Sequence, residues 1–392
     1  MKVDLSVEIA GIVLENPLIV ASGTPTRTAE HIIKCYEAGA AGAVTKTITY
    51  AEIHRAQPKP RMHVIYPLNA VKGGYFSFYS IELMSEIEPE KWVNEIKKVK
   101  EKYPDRLLVA SIAGRSLEEW EKLARLVDEA GADAIELNLS CPHIEKEEFM
   151  GKAAAKKTDI IYNIVKTVKK TASIPVIGKL TPQGANPLEL AKIMHSAKVN
   201  AVVSTARFQG LVLDLNSLEP ILWKGFGGYG GPWQLPISLA WTAHIALELP
   251  DLTIIGSGGI HSGKDAAAFI AVGAAAFQVC TAVIVKSYSV IKQILEELAD
   301  WMTEKGYMKI EDFKGKALPK IKSLEELNRK KIYRIKVDEN KCTGCGICAE
   351  RCFYSAITVK KGKPEINYNL CDNCGLCVAI CPNRALKIKK AH

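Results

Sequence analysis

The chain has 392 residues, of which 48% are apolar and 24% charged, an ordinary composition for a globular protein with one large and one small domain. Its formal net charge of +9 raises the possibility of a nucleic-acid partner. The basic stretch 314–336 contains no nucleic-acid-binding motif, so we expect no such partner.

Two segments bear on membranes and export. Residues 1–11 contain no basic stretch followed by an apolar one, so we expect no signal peptide and a cytoplasmic location. Residues 266–285 are uncharged over a length that can span a bilayer. Gly273 interrupts this segment and Gln278 is polar, which favours a helix end followed by a buried strand. We therefore expect no contact with a membrane.

Before residue 300, eight short apolar segments alternate with amphipathic helical patterns. Near-continuous apolar runs are typical of strands that are buried on both faces. The predicted strands are 16–23, 42–49, 107–114, 134–140, 175–181, 201–206, 253–259 and 276–283. The predicted helices are 28–37, 90–102, 117–130, 158–170, 187–197, 237–249, 263–272 and 288–305. Eight strand–helix units predict an α/β fold, a (β/α)8 TIM barrel over residues 1–305.

The predicted strands end in polar residues, and in such barrels the C-terminal strand ends form the active site. Two long connections, 50–86 and 144–157, are expected to form lids or substrate walls. The predicted cofactor-binding residues are Ala21, Ser22, Gly23, Lys46, Thr47, Ser111, Asn138, Lys179, Ser204, Thr205, Ser257, Gly258, Gly259, Cys280 and Thr281. The predicted substrate-binding residues are Ser80, Glu82, Asn138, Ser140 and Arg207.

Three of these motifs carry specific chemistry. Ser257-Gly258-Gly259 and Cys280-Thr281 follow the last two strands, where barrels often bind phosphate, although a plain tight turn is the alternative. Lys46 and Lys179 at strand ends predict a ligand contact, because buried structural lysines are rare; surface ion pairs are the alternative. Within Asn138–His143, the thiol of Cys141 can exchange a proton with a substrate, and His143 is expected to be a loop hydrogen-bonding residue.

Beyond a predicted linker, 306–336, residues 337–392 contain two cysteine quartets with the spacing of bacterial ferredoxins that hold two [4Fe-4S] clusters. In this arrangement three cysteines of one repeat and the fourth of the other bind each cluster. We assign Cys342, Cys345, Cys348 and Cys381 to one cluster, and Cys371, Cys374, Cys377 and Cys352 to the other. A pair of four-cysteine zinc sites is the alternative.

The chain resembles the class 1 dihydroorotate dehydrogenase barrel family, and its arrangement is similar to the flavin and iron–sulfur subunits of dihydropyrimidine dehydrogenases. The motifs that carry this resemblance are Ala21-Ser22-Gly23-Thr24, Val44-Thr45-Lys46-Thr47, Ile81-Glu82-Leu83, Ala110-Ser111-Ile112, Glu136 to His143, Lys179 to Pro182, Gly258-Gly259-Ile260 and Gln278-Val279-Cys280. The resemblance implies bound FMN, with Cys141 as the proton donor or acceptor.

The resemblance also implies partners. The two clusters would relay electrons between FMN and an FAD- and NAD(P)H-bearing subunit or a soluble electron carrier. A homodimer within a hetero-oligomer is implied as well. The substrate would be a small ring, a dihydropyrimidine of the dihydrouracil or dihydroorotate type, that is interconverted with its unsaturated form.

This chain departs from the family pattern at two substrate positions. Ser80 stands where the dihydropyrimidine enzymes have Asn, and Thr205-Ala206-Arg207 replaces their Thr-Asn-Thr. Losing two amides that bind the ring leaves ligand hydrogen-bonding groups without partners. Arg207 can instead bind a carboxylate or point outward. Two alternatives therefore stand beside the pyrimidine hypothesis: the same chemistry on a non-pyrimidine carboxylate, or a non-catalytic electron-transfer subunit.

Overall fold

The computed structural model describes residues 3–71, 74–141, 149–223, 225–327, 329 and 333–390. The chain divides into two compact units, Met1–Lys320 and Ile321–His392. His143 and most of the predicted loop before residue 149 lie outside the described residues.

A closed barrel of eight parallel strands forms the first unit, with the strands in chain order around it. Every strand lies within a predicted apolar segment, and the predicted (β/α)8 fold is confirmed. The barrel strands are Leu18–Val20, Gly42–Val44, Leu107–Ile112, Ala134–Asn138, Val176–Lys179, Ala201–Val203, Thr253–Ser257 and Ala276–Val279. Most of their residues are fully buried, because side chains fill the barrel on one face and helices cover the other.

Eight helices surround the barrel, one after each strand. They are Ala29–Glu37, Pro89–Lys102, Leu117–Glu129, Thr158–Thr171, Pro187–Ser196, Leu235–Glu248, Gly263–Ala271 and Ser289–Lys305. Several begin at a side chain that caps the first turn: Thr28, Ser116 and Ser262 each accept a hydrogen bond from the backbone N–H three residues later. Among the described residues, no helix is both long and apolar enough to cross a membrane.

The predicted strand 276–283 is wrong in its second half. The strand ends at Val279, and Thr281–Lys286 is a short helix. The backbone turns at Cys280, with φ of −139° and ψ of −62°. An apolar segment of this length fits a buried strand or a buried helix equally well, so the sequence pattern could not separate the two.

A four-stranded antiparallel sheet is added to the barrel, and we call it the lid sheet. Its strands, in spatial order, are Phe208–Gly210, Gly227–Gly230, Ser77–Ser80 and Met62–Ile65. The sequence analysis expected a lid at 50–86 but no sheet. The central pairing joins Gly228 to Ser80, almost 150 residues apart, and glycine-rich strands have little strand propensity.

Smaller elements complete the first unit. They are the hairpin Val7–Ile9 with Ile12–Leu14, the ribbon Leu213–Asp214 with Glu219–Pro220, and the short helices Pro67–Val71 and Gly151–Ala155. The first half of the predicted linker packs on the barrel, because Ile310 and Phe313 are buried there. The N–H of Gly315 also donates to Ile270 O at 2.9 Å.

The second unit is built from two similar repeats. Strand Tyr333–Val337 pairs with Leu386–Lys390, and Ile357–Lys360 pairs with Lys363–Ile366, both antiparallel. One-turn helices, Ile347–Glu350 and Leu376–Ala379, follow the first two cysteines of each triplet. The two cysteine loops share left-handed residues at equivalent positions, Gly344 with Asn373 and Gly346 with Gly375.

Candidate active site

A cavity of about 1110 Å³, including its open mouth, lies between the C-terminal ends of the barrel strands and the lid sheet. Most of the predicted site residues line it. They are Ala21, Ser22, Lys46, Thr47, Glu82, Asn138, Ser140, Cys141, Lys179, Arg207, Ser257, Gly258, Gly259, Cys280 and Thr281. Because these side chains come from seven strand ends and from the lid, only the closed barrel brings them together.

Five predicted residues lie outside this lining. Ser111 contacts Thr47 from behind, with 3.0 Å between their hydroxyl oxygens. Ser204 accepts a hydrogen bond from the hydroxyl of Thr242 at 2.9 Å, and the Thr205 hydroxyl donates to Ala206 O at 3.1 Å. The two remaining residues, Gly23 and Ser80, contact lining residues. All five therefore support the wall of the cavity.

Lys46 joins the barrel to the lid connection. Its ammonium donates to Glu82 Oε1 at 2.7 Å, and the Thr24 hydroxyl donates to the same oxygen at 2.6 Å. Burial raises the pKa of Glu82, but the charges of Lys46 and Arg207 outweigh burial and lower it to about 2. Glu82 is therefore ionised at neutral pH and holds the ammonium at the cavity wall.

Lys179 belongs to a second buried polar group inside the barrel. Its ammonium donates to Gln278 Oε1 at 2.8 Å and to Glu136 Oε1 at 3.3 Å. The amide of Gln278 donates to the other oxygen of Glu136 at 2.8 Å, which closes the triangle. Such a fully connected group fixes the position of the lysine, because every alternative position leaves a buried polar atom unpaired.

A chain of short polar side chains crosses the cavity floor. Asn138 donates from Nδ2 to Thr47 Oγ1 at 2.8 Å, and its Oδ1 accepts from the Ser140 hydroxyl at 2.9 Å. Thr47 lies 3.3 Å from the hydroxyl of Ser22. These contacts hold the Asn138 amide in one plane, as binding the edge of a flat heterocycle requires.

Two cysteines border the cavity. Cys141 follows barrel strand four, is 9% exposed, and so reaches both the cavity and the protein interior. Cys280 follows strand eight, and burial raises the pKa of its thiol to about 11. Cys280 is therefore an uncharged thiol at neutral pH, packed against the backbone of Gly23.

The turn after strand seven allows a ligand to approach the backbone. Gly258 and Gly259 have φ values of +102° and +88°, which side chains rarely adopt. A Cβ on Gly259 would lie 2.4 Å from the backbone nitrogen of Leu235. Beside the turn, hydrogen bonding to Asp265 raises the pKa of His261, another lining residue. Backbone N–H groups and a basic side chain thus meet where the sequence predicts a phosphate.

Arg207 reaches the cavity from the edge of the lid sheet. Its guanidinium donates to the hydroxyl of Ser80 and crosses Gly228, where a Cβ would lie 2.6 Å from the guanidinium carbon. Within the part of the chain that the structure describes, no carboxylate lies within salt-bridge distance of this guanidinium. Its remaining donors are available to a ligand in the cavity.

The second unit encloses two smaller cavities, and each is lined by four cysteines. Cys342, Cys345, Cys348 and Cys381 line a cavity of about 360 Å³. Cys352, Cys371, Cys374 and Cys377 line the other, of about 380 Å³. The structure therefore groups the thiols as the crossed quartets predict, and eight thiols in two walls fit two iron–sulfur cubes.

The sequence analysis did not assign a role to several residues of the main site. Glu136 and Gln278 are fully or almost fully buried, and each interrupts an apolar strand, which was a usable signal for an inward polar group. Phe76, Phe78 and Gln234 also line the cavity. These three come from the lid sheet and the turn before helix Leu235–Glu248, and no local pattern indicated their position.

Comparison with known proteins agrees with this geometry. The family model described as dihydroorotate dehydrogenase matches residues 4–302, and a 4Fe-4S dicluster domain matches residues 334–382. The chain belongs to the dihydroorotate dehydrogenase family. This membership confirms the predicted oxidoreductase class, and the two matches together confirm that its cofactors are a flavin and iron–sulfur.

Three relatives illustrate the similarity. The NAD-dependent dihydropyrimidine dehydrogenase subunit PreA of Escherichia coli K12 is 30% identical over 89% of this chain and 85% of that protein. The catalytic subunit of dihydroorotate dehydrogenase B (NAD(+)) of Pyrococcus abyssi is 34% identical over 80% of this chain and 99% of its own. The chloroplastic dihydropyrimidine dehydrogenase (NADP(+)) of Arabidopsis thaliana is 29% identical over 80% and 77%.

Proposed function

We propose that this family member interconverts a dihydropyrimidine and its unsaturated form, using FMN and two [4Fe-4S] clusters. One observation carries the proposal: Cys141, Asn138, Lys46 and Lys179 line one cavity beside the Gly258-Gly259 turn. A proton-transfer group, a planar amide, fixed cations and a site for phosphate are the parts that this chemistry needs. The relatives named for dihydropyrimidine and dihydroorotate dehydrogenation support the same substrate class.

When bound, FMN supplies two-electron chemistry at its ring. The chain's own residues do the rest. Lys179, held by Glu136 and Gln278, places a positive charge where a reduced ring accumulates negative charge. Asn138 orients a flat ring through its amide, and the lid sheet limits the access of water. Cys141 donates the proton to the substrate, or removes it in the opposite direction.

Electrons leave or enter through the second unit in this proposal. The crossed quartets hold one cube each, and a chain with two cubes relays electrons one at a time. The name of the bacterial subunit relative supports a partner subunit that uses NAD, and we propose that a flavin-bearing subunit or soluble carrier completes the reaction. A homodimer of the chain within such a complex is part of the proposal.

A second candidate substrate is a ring that carries a carboxylate, and Arg207 favours it. The guanidinium lines the cavity, is held by Ser80, and keeps donors available. A planar carboxylate can accept two parallel N–H bonds from such a group. Dihydroorotate carries this carboxylate and dihydrouracil does not, so Arg207 is expected to favour the acidic ring.

Anaerobic flavin bleaching tests both candidates. The protein is purified without oxygen, FMN and about eight irons per chain are confirmed, and dihydrouracil, dihydrothymine and dihydroorotate are added separately. Bleaching by one of them identifies the substrate. If dithionite bleaches the flavin and none of the three does, pyrimidine oxidation is excluded as the activity.

The variant Arg207→Gln separates the two candidates. If the acidic ring is the substrate, bleaching by dihydroorotate weakens by roughly 10- to 100-fold in the half-saturating concentration, because a charge-assisted pair is lost. Bleaching by a neutral ring is then unchanged. Equal behaviour of wild type and variant with dihydroorotate would exclude Arg207 as the carboxylate-binding residue.

A further inference from the structure

The terminal ribbon of the second unit has two unlike faces. Strands Tyr333–Val337 and Leu386–Lys390 pair antiparallel, so alternate residues point to opposite sides. Ile335 and Leu386 point inward and are buried. The opposite side is exposed, and we call it the basic face; it consists of Arg334, Lys336, Lys387 and Lys389.

Like charges lie directly opposite each other on the basic face. Arg334 pairs with Lys389, and Lys336 pairs with Lys387, in the register of the ribbon. Like charges at directly opposed positions destabilise a strand pair. Among the described residues no carboxylate forms a salt bridge with any of the four, and only Arg334 has an aromatic neighbour, Tyr368 at 5.1 Å.

The other hairpin of the same unit is built differently. Its cation Lys360 forms a salt bridge of 2.7 Å with Glu365 across the strands. Lys363 donates to backbone oxygens of Glu339 and Cys342 at 2.7 and 2.9 Å. Because this hairpin satisfies its charges internally, uncompensated positive charge is a property of the basic face in particular.

The inner side of the ribbon contacts both cysteine cavities. Ile335 lines the cavity of Cys352, and Leu386 lines the cavity of Cys381. The N–H of Ala385, next to the ribbon, donates to the Cys381 sulfur at 3.2 Å. A protein packed on the basic face would therefore lie one sheet layer, about 10 Å, from the walls of both cavities.

We propose that the basic face is the docking surface for an acidic redox protein that exchanges electrons with this unit. An acidic partner relieves the repulsion between the opposed cations, and the field of four uncompensated charges accelerates its encounter. The position above both cavities gives a docked partner a short path to either cluster. The proposal uses the clusters of the proposed function but not its substrate.

The test compares two variants of the full-length holoprotein. Lys336→Gln/Lys387→Gln removes one opposed pair from the basic face. The control, Lys360→Gln/Lys361→Gln, removes the same charge from the other hairpin. The probe is flavodoxin, an acidic flavin protein, and its Kd is measured by calorimetry at low and high salt.

We expect the Kd at low salt to rise roughly tenfold in the basic-face variant and to stay unchanged in the control. The difference should vanish at high salt, because salt screens exposed charges. Electron transfer from the dithionite-reduced protein should follow the same order. Reduction of basic cytochrome c should become faster in the basic-face variant, because the repulsion is smaller.

Four results would overturn the proposal. Equal effects in the two variants would show that only net charge matters. Unchanged flavodoxin binding with altered cluster potentials would assign the cations to neutralising the clusters. A changed sedimentation coefficient would indicate that the face binds a second copy of the chain. Tighter binding of a single-stranded DNA probe than of flavodoxin, lost in the basic-face variant, would indicate a nucleic-acid site.

Discussion

At the scale of single residues, the cavity keeps its cations in fixed positions by giving each a partner. Lys46 is paired with Glu82, and Lys179 with Glu136. Burying such pairs brings little net stability, because both charges lose their hydration. Their value lies in orientation: each ammonium is fixed before a ligand binds, so little reorganisation is needed when negative charge develops.

Cys141 allows the sharpest test at this scale. The variant Cys141→Ala should keep its flavin and its melting temperature but lose about 10²- to 10⁴-fold in the rate of flavin reduction by substrate, because no group remains to move the proton. Cys141→Ser should retain part of the rate, with its optimum at higher pH, since a hydroxyl ionises less readily than a thiol. Stopped-flow flavin absorbance across pH measures both.

The control for this experiment is Cys35→Ala. Cys35 is a fully buried thiol in helix Ala29–Glu37 and does not line the cavity. Its loss should lower the melting temperature slightly and leave flavin reduction unchanged. A Cys141→Ala protein that reduces its flavin as fast as the Cys35→Ala protein would exclude Cys141 as the proton-transfer residue.

The strand-end rule predicted most lining residues from the sequence but not which neighbour faces inward. Lys46, Asn138 and Lys179 were found because polar residues at the ends of apolar strands have few other roles. Ser204 and Thr205 follow the same rule and still lie outside the lining. Contact with helices decides their direction, as Thr242 does for Ser204, and a short strand end contains no record of that contact.

At the scale of elements, the lid sheet shows why long connections were predictable as walls but not as structure. Its strands come from two connections that are separated along the chain by four barrel strands. Glycines allow the close packing: a Cβ on Gly227 would lie 2.5 Å from the ring of Tyr79. The sequence shows such glycines as turn signals, since their partners lie far away in the chain.

The turn after strand seven is testable with glycine substitutions. In Gly259→Ala the new methyl group collides with the backbone of Leu235, so the turn must open and its N–H groups lose their positions. We expect the FMN content after dialysis to fall roughly tenfold or more. Flavin fluorescence after denaturation measures the amount retained per chain.

Gly306→Ala is the matched control. Gly306 also has a left-handed φ, +75°, but a Cβ there meets nothing within 4 Å. This variant isolates the backbone strain, about 1 kcal/mol, from the collision at the turn. It should keep its flavin. Equal flavin loss in both variants would mean that strain alone, and not the cradle, explains the result.

At the scale of the whole molecule, the chain joins a site for two-electron chemistry to a unit for one-electron transfer. The cysteine spacing predicted the second unit directly, because ligand geometry fixes the intervals between cysteines. The crossed grouping follows from the fold of two interlocked repeats: the fourth cysteine of each repeat lines the cavity of the other triplet. Each repeat thus needs its partner to complete a ligand set.

Paired substitutions test this interlocking. Cys381→Ser should lower the iron content from about eight to about four per chain, because one cube loses a ligand. Adding Cys345→Ser, in the same quartet, should leave about four irons, whereas adding Cys374→Ser, in the other quartet, should leave almost none. If each repeat bound its own cube, the two double variants would exchange these results. Colorimetric iron and the electron paramagnetic resonance of the reduced protein measure the outcome.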